Sequence, residues 1–443
     1  MLYLLSYNVI TEKVSYDVIF MSEEIEIGGA GKDYTFKSYE WNFKEKKFRE
    51  FGSSVDVVLI AYAISAKHGS EPGAGWAILK AYLENNFKVL LITTSLSKED
   101  IEGYFSNNDE NSKYYPNLLI QAFPEAEFRK CRISFPLQVR HLIWNFQILR
   151  PMNEFLDFNP KAIFHYTTYS GDWNLNVVHL LKKNARAIWG PVGGSQRIDL
   201  RAYRFLGLNG IIEELIRVFV GGFFRFPIKR LIAGRRMVIL AANEKTERSY
   251  IKTGLVIKCH NIVVNSSDIV SETRNANVHF WCGRLIPLKN CKLAIDFESY
   301  LPHGVLIIAG DGPELDNLIK YAKKKGIEHR VRFLGNISRS EVLEYLRTSD
   351  AFIFTSLRDS ASWALAEAVQ SGIKIIALDT PGNRAVTQGA GIHLVPIRFG
   401  KIEKEMIRIL GISQSEHRKN DLFSRERLAN SLNGAVSLLR SQS

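Results

Sequence analysis

The sequence predicts an α/β protein built from two parallel-sheet domains that face each other. Short apolar runs alternate with helix-length segments, and the alternation stops near residue 265 and then restarts. A chain of 443 residues is also too long for one ordinary hydrophobic core and suits two large domains.

The first series opens with Val55 to Tyr62, a continuous apolar run suited to a buried parallel strand. A Gly-rich loop, a helix over Ala74 to Asn85 and a strand over Lys88 to Thr94 follow, which is the order of a βαβ unit. Ala162 to Tyr166, Ala187 to Trp189 and Met237 to Leu240 supply further strands. Residues 55–265 are thus expected to form one Rossmann-like domain. The second series has strands at Val278–Trp281, Val305–Ala309, Val331–Leu334, Ala351–Phe354 and Lys374–Ala377. Helices are expected between them at Asn290–Tyr300, Glu314–Lys325, Ser340–Thr348 and Trp363–Ser371, so residues 266–420 form a second such domain. Two facing domains of this kind hold a ligand in the crevice at the carboxyl ends of their strands. Residues 421–443 read as a terminal helix. Residues 1–54 stand outside the scheme; the alternation around Tyr34, Phe36 and Tyr39 suggests strands or a hairpin, and a packing or oligomer role, not a catalytic one.

Composition narrows the function. The chain is 46% hydrophobic and 23% charged, which excludes collagen-like, disordered and coiled-coil readings. Lys and Arg number 58 against 46 Asp and Glu, and the resulting +12 suggests an anionic partner: nucleic acid, a phosphorylated substrate or an acidic membrane. No helix-turn-helix, RRM or zinc signature accompanies the charge, so nucleic acid is not expected. Cys131, Cys259, Cys282 and Cys291 form no CxxC pair, so neither disulfides nor a zinc site is indicated and a cytoplasmic location is expected. The first residues lack a basic region and a long apolar stretch, so no secretory signal is read. The strongest apolar run, Leu215 to Phe224, is interrupted by Arg217 and Gly221-Gly222 and is too short to span a bilayer.

Three stretches of the second half carry a family resemblance. They are Gly283-Arg284-Leu285 with Lys289-Asn290; Ala309-Gly310-Asp311-Gly312-Pro313-Glu314 leading to Phe333-Leu334-Gly335-Asn336; and Ser356-Leu357-Arg358-Asp359 with Ala366-Glu367-Ala368. In this order and spacing they resemble the donor-binding half of retaining GT-B glycosyltransferases of the group 1 family, glycosyltransferase family 4. Gly69-Ser70-Glu71-Pro72-Gly73-Ala74-Gly75-Trp76 and Gly190-Pro191-Val192-Gly193-Gly194 are similar to its bacterial cell-surface polysaccharide branch. The resemblance covers about residues 55 to 395.

It implies a metal-independent enzyme that moves a sugar from a nucleotide-sugar donor to a glycan or lipid-linked acceptor, with no cofactor. A departing diphosphate must be neutralised, and cations do this without a metal; the resemblance gives that role to Arg284 and Lys289. It places Asp359 near the donor sugar, as a catalytic residue, and Glu367 on the ribose hydroxyls, where a carboxylate accepts two hydrogen bonds at once. Asp359 stands where the family usually has Glu, one methylene longer. Ser362-Trp363-Ala364 replaces a glycine-rich or Phe-Gly segment, which bears on donor choice; with Gly335 and Asn336 these complete the donor-binding set. The resemblance also implies a catalytic cleft histidine at His165, although a lone His on a strand is more often a satisfied core residue. Gly73 and Gly75 are read in the loop before the first helix, and Gly193 and Gly194 after a strand, either as cleft loops or as structural turns. The terminal helix 421–443 is expected to cross back onto the first domain, as in other GT-B enzymes.

From Arg197 to Arg236, nine basic residues and three acidic ones are interleaved with Phe, Leu and Ile. Such a segment fits an interfacial helix on an anionic bilayer, or core helices with basic outer faces. The expectation taken is peripheral attachment at the cytoplasmic face of the membrane. Two alternatives to the transferase remain, a catalytically silent homologue serving as a scaffold and a nucleotide-sugar 2-epimerase.

Overall fold

The computed structural model describes residues 46–66, 69–106, 116–125, 137–260, 262–264, 274–360, 362–397, 402–411 and 421–441. The strands expected around Tyr34–Tyr39 lie outside the described residues, as does Cys131; within 1–54 the described part begins with the helix Lys46–Gly52.

Two parallel sheets form the frame. The first contains β1 (Val57–Ala61), β2 (Val89–Thr94), β3 (Leu118–Phe123), β4 (Ile163–Thr167), β5 (Arg186–Val192), β6 (Met237–Ala241) and β7 (Leu255–Lys258), in the order β3-β2-β1-β4-β5-β6-β7. The second contains β8 (Asn275–Cys282), β9 (Val305–Ala309), β10 (Val331–Gly335), β11 (Ser349–Phe354) and β12 (Lys374–Ala377), in the order β10-β9-β8-β11-β12. The central strands are buried on both faces: all five residues of β1 and of β4 are inaccessible, and β1 is accordingly an unbroken apolar run while β4 also carries His165 and Thr167. Edge strands β3 and β7 carry no such run. Five of the six residues of β3 are half-buried and both ends of β7 are exposed, so their pattern is diluted.

Helices cover both faces of each sheet. On the first, Trp144, Ile148 and Phe155 of the helix Leu137–Phe158 pack one side. Ile78 and Tyr82 of the helix Ser70–Glu84 pack the other, together with Leu428, Leu432 and Leu439 of the helix Arg425–Ser441. Arg440 Nη2 donates to Asp56 Oδ1 at 2.6 Å, so the last helix is tied to the start of the first sheet. The second sheet is sandwiched by the helices Cys291–Ser299 and Trp363–Ser371, through Leu293 and Phe297 on one face and Leu365 and Val369 on the other. Ile198, Ala202 and Leu206, which follow β5 in the chain, are buried in this second core beside Trp281 and Leu285. The halves therefore share packing as well as a boundary.

Strand order reverses between β1 and β4 and again between β8 and β11. At such points the loops leaving the two strands diverge and open a crevice at the carboxyl ends. The loop after β9 also shapes the second crevice. Gly310 has φ +136, and a Cβ there would lie 1.9 Å from the Gly283 carbonyl oxygen. Its N–H donates to the Gly335 carbonyl at 2.7 Å, so three strand ends meet at one glycine. Gly310→Ala should destabilise the protein by about 1–3 kcal/mol or more through overpacking and a disfavoured φ. Urea unfolding measures this, and a midpoint equal to the parent's would show that the three loops can separate without cost.

Candidate functional site

In the second half, the sequence-predicted residues converge on the β8/β11 crevice. Arg284 lies one residue past β8, after Gly283, and is exposed, while Leu285 beside it is buried. The turn Pro287–Lys289 then brings Lys289 to face the loop after β11, where its Nζ donates to Asp359 Oδ2 at 2.6 Å. Two hydrogen bonds to backbone carbonyls hold these loops in register: Leu357 N–H donates to the Leu288 carbonyl at 3.0 Å, and the Thr355 side-chain Oγ1 to the Lys289 carbonyl at 3.1 Å.

Ser362 caps the helix Trp363–Ser371, its Oγ accepting from Leu365 N–H at 3.4 Å. One turn on, Glu367 is buried and its Oε1 accepts from Arg339 Nε at 2.8 Å. Arg339 also lies over the Trp363 ring, 5.6 Å from its centre. Gly335 ends β10 and Asn336 next to it is exposed; Ala364 is half-buried. Cys282, at the end of β8, is within electrostatic reach of Glu367 and Lys289. Burial pushes its thiol up to about 12, Glu367 adds to the rise and Lys289 opposes it. Sequence reading missed Arg339; its signal was a basic residue shortly after the Gly335-Asn336 motif.

The first half required corrections. His165 is the third residue of β4, not its end, and is fully buried. Its Nε2 lies 2.8 Å from the Gly190 carbonyl and its Nδ1 2.9 Å from the Tyr82 hydroxyl. A carbonyl only accepts, so Nε2 carries the hydrogen and Nδ1 accepts from Tyr82. Both nitrogens are thus used within the first core, and the expected cleft histidine does not face the cleft. Gly73 and Gly75 are likewise not in a loop. The helix starts at Ser70, and a Cβ at Gly75 would sit 3.0 Å from Thr168 Cγ2 and 3.2 Å from the Ala63 carbonyl, so the helix packs tightly there and a larger residue would have to push its neighbours back.

Other groups line the carboxyl end of β4. Thr168 and Tyr169 have φ of 55 and 47, left-handed values that a non-glycine residue adopts at a cost. The Tyr169 N–H donates to Glu71 Oε2 at 2.9 Å, and burial raises the Glu71 carboxyl above its ordinary range. Arg284 lies close enough for its charge to act on the Tyr169 hydroxyl across the crevice. Glu71 was within reach of sequence reading, in the Gly69–Trp76 stretch singled out for its glycines.

Gly193 and Gly194 meet the other half directly. Gly194 N–H donates to Ser360 Oγ at 3.4 Å, and a Cβ on Gly193 would lie 2.7 Å from that oxygen. Glu214 and Arg217, on the helix Gly207–Ile232, reinforce the contact. Arg217 donates to Glu214 Oε1 and Oε2 at 2.5 and 2.8 Å, and to the Gly194 and Gln196 carbonyls at 3.2 and 3.0 Å. Arg358 Nη2 is 3.4 Å from the same Glu214 carboxylate. A cavity of about 150 Å³ lies between Gly73, Trp76, Lys80 and Tyr104 on one side and Arg339 and Trp363 on the other. Lys289 and Asp359 are not among its walls. Among the described residues, no group of three His, Cys, Asp or Glu side chains could hold a metal ion, and no helix is long and apolar enough to cross a membrane.

Two parallel-sheet domains with their strand ends facing across a cleft define the GT-B fold. Sucrose-phosphate synthase of Thermosynechococcus elongatus shares it with a TM-score of 0.61, over 88% of this chain and 100% of that one at 14% identity. HepE of Anabaena, in complex with UDP-glucose, has a TM-score of 0.52 over 87% and 98% at 14% identity. Residues 266–419 match the family described as "Glycosyl transferases group 1". Over 150 residues, the chain is 29% identical to UDP-Gal:alpha-D-GlcNAc-diphosphoundecaprenol alpha-1,3-galactosyltransferase of Escherichia coli. That stretch is 32% of this chain and 38% of the relative's own length.

Burial holds His165 and His141 down to about 4. The unfolded chain binds protons on both below about pH 6.5 while the folded chain does not. Stability should therefore fall as pH drops from about 6.5 to about 4, by up to about 1.4 kcal/mol per pH unit for each histidine. His165→Gln should reduce that slope in urea titrations run across the window. An unchanged slope would mean that the ring is protonated in the fold.

Proposed function

We propose that this protein is a glycosyltransferase that moves a sugar from a nucleotide-sugar donor to a glycan or lipid-linked acceptor in cell-surface polysaccharide assembly. The observation that carries the reading is that the stretch matching the group 1 family holds Arg284, Lys289, Asp359 and Glu367, all at the carboxyl-end side of the second sheet. The UDP-glucose complex of HepE and the diphosphoundecaprenol substrate named for the Escherichia coli enzyme support a nucleotide-sugar donor and a lipid-linked acceptor.

On this reading Arg284 and Lys289 neutralise the donor diphosphate, so no metal is needed. Glu367, oriented by Arg339, accepts from the ribose hydroxyls, and charge-assisted bonds of this kind favour tight geometry. Asp359 holds Lys289 and stands beside the sugar; as the diphosphate takes up Lys289, the carboxylate becomes free to accept from a sugar hydroxyl. Gly335, Asn336 and Ser362 to Ala364 complete the donor wall. The bond from the sugar's anomeric carbon to the diphosphate oxygen breaks as the acceptor oxygen bonds on the same face. The leaving diphosphate takes the acceptor's proton, giving retention. His165 stays outside this chemistry, and its place on the first-half side falls to Glu71 and Tyr169. The enzyme acts at the cytoplasmic face of the membrane.

Thermal-shift screening against nucleoside diphosphates and nucleotide sugars, with EDTA present, tests the reading. A ligand at about 100 times its Kd adds about 2.7 kcal/mol of stability. A selective shift identifies the donor, whereas no shift from any of them moves the assignment to a silent scaffold. Glu367→Ala should weaken nucleotide binding by about 1.5–3 kcal/mol, and an unchanged affinity would remove Glu367 from the site. Lys289→Ala should slow transfer at saturating donor; parental turnover would retire its phosphate role.

A further inference from the structure

The helix Gly207–Ile232 is amphipathic with its polarity reversed. Its buried side carries Gly210, Glu214, Arg217, Gly221 and Ile228. The opposite side presents Leu208, Ile212, Leu215, Phe219, Phe223 and Phe226, each more than half exposed, with Leu208 at 80% and Phe219 at 78%. Steps of three and four residues align them in one stripe along the helix. Charged groups normally face water and apolar ones the core, so this arrangement points to a non-aqueous neighbour.

The surrounding charge indicates which neighbour. Arg204 and Arg236 are exposed just beyond the two ends of the helix, and Arg230 is exposed on the stripe side, its guanidinium 5.0 Å from the centre of the Phe226 ring. The two helix carboxylates lie elsewhere: Glu214 is buried, and Glu213 is partly buried with its carboxyl raised by desolvation. An apolar stripe bordered by arginines, with no carboxylate on it, complements anionic headgroups above acyl chains.

We propose that this stripe is the surface by which the protein lies on an anionic bilayer, the helix parallel to the membrane plane. The proposal extends the membrane side of the functional reading above by assigning it a face. It also orients the cleft. The inner side of the same helix touches the Gly194 loop and Arg358, so a docked bilayer runs alongside the crevice where a lipid-linked acceptor would enter.

Co-sedimentation of the full chain with vesicles tests it, comparing equal parts phosphatidylglycerol and phosphatidylcholine with phosphatidylcholine alone. The parent should pellet with the mixed vesicles and bind the neutral ones more weakly. Phe219→Ser with Phe223→Ser should weaken binding at least tenfold while leaving the melting temperature unchanged, because both side chains are exposed. Arg230→Gln with Arg236→Gln should remove the preference for the anionic lipid. A parent that stays in the supernatant, or a double Ser variant that binds equally well, overturns the proposal. So does self-association in the absence of lipid that the Ser variant abolishes, since the stripe would then serve a second copy of the chain. A protein that binds vesicles but is shifted by no nucleotide keeps this inference and overturns the functional one, and the reverse result does the opposite.

Discussion

The carboxylate of Glu214 is 4% exposed and has charged partners from two parts of the chain. Taking a carboxylate out of water costs several kcal/mol unless the geometry around it is good, and here Arg217 supplies a two-pronged contact while Arg358 approaches from the second half. Arg217 in turn donates to the Gly194 and Gln196 carbonyls. Loss of one member of such a set leaves a buried charge uncompensated, at about 3–5 kcal/mol. The long helix, the loop after β5 and the loop after β11 are thereby held as a unit. Asp172 repeats the device further along the helix: fully buried, it accepts from Arg225 at 2.6 Å and also from Ser195.

This constraint reaches the candidate site through one peptide bond. Arg358 is bound to Glu214 and Asp359 to Lys289, so the same short loop is pulled towards the first half on one side and towards the β8 loop on the other. Ser360, next in sequence, accepts from Gly194. Three consecutive residues thus fix the spacing of the cleft walls. A glutamate at 359 would reach Lys289 from farther back, and the shorter Asp suits a loop already drawn close by its neighbours.

Legibility in the sequence followed burial. The central strands were readable because both faces are packed, leaving runs such as Val-Val-Leu-Ile-Ala in β1, while β3 and β7 at the sheet edges were not. The second-half site was readable because its residues sit on loops immediately after strands, where motif order is also spatial order. His165 was misplaced for a complementary reason. Sequence locates a residue on a strand but not which layer it faces, and its partners Tyr82 and Gly190 lie 83 and 25 residues away. Gly73 and Gly75 read as a loop because glycine is a poor helix former, yet both lie in the helix, and Gly75 lets it pass close to Thr168 and Ala63. Arg339 and Glu71 left only a faint trace, a basic residue after Gly335-Asn336 and a carboxylate among the glycines of Gly69–Trp76, since each gains its role from a partner distant in sequence, Glu367 and Tyr169.

The basic apolar segment had two readings in the sequence, and the structure shows why they were hard to separate. The helix Gly207–Ile232 is a packed element with a buried side and also an apolar exposed one. Ordinary amphipathic helices are held by their apolar face, so an apolar face turned outward must be compensated by something else on the inside. Here that compensation is polar and ionic: Glu214 with Arg358, Arg217 with the Gly194 and Gln196 carbonyls, and Arg225 with Asp172 attach the helix to its surroundings. A helix fastened by hydrophobic contacts could roll to bury its Phe and Leu side chains. One fastened by directional, buried charge pairs cannot, because rolling would strip those charges of their partners. The same ion pairs that set the cleft walls therefore keep the apolar stripe facing outward.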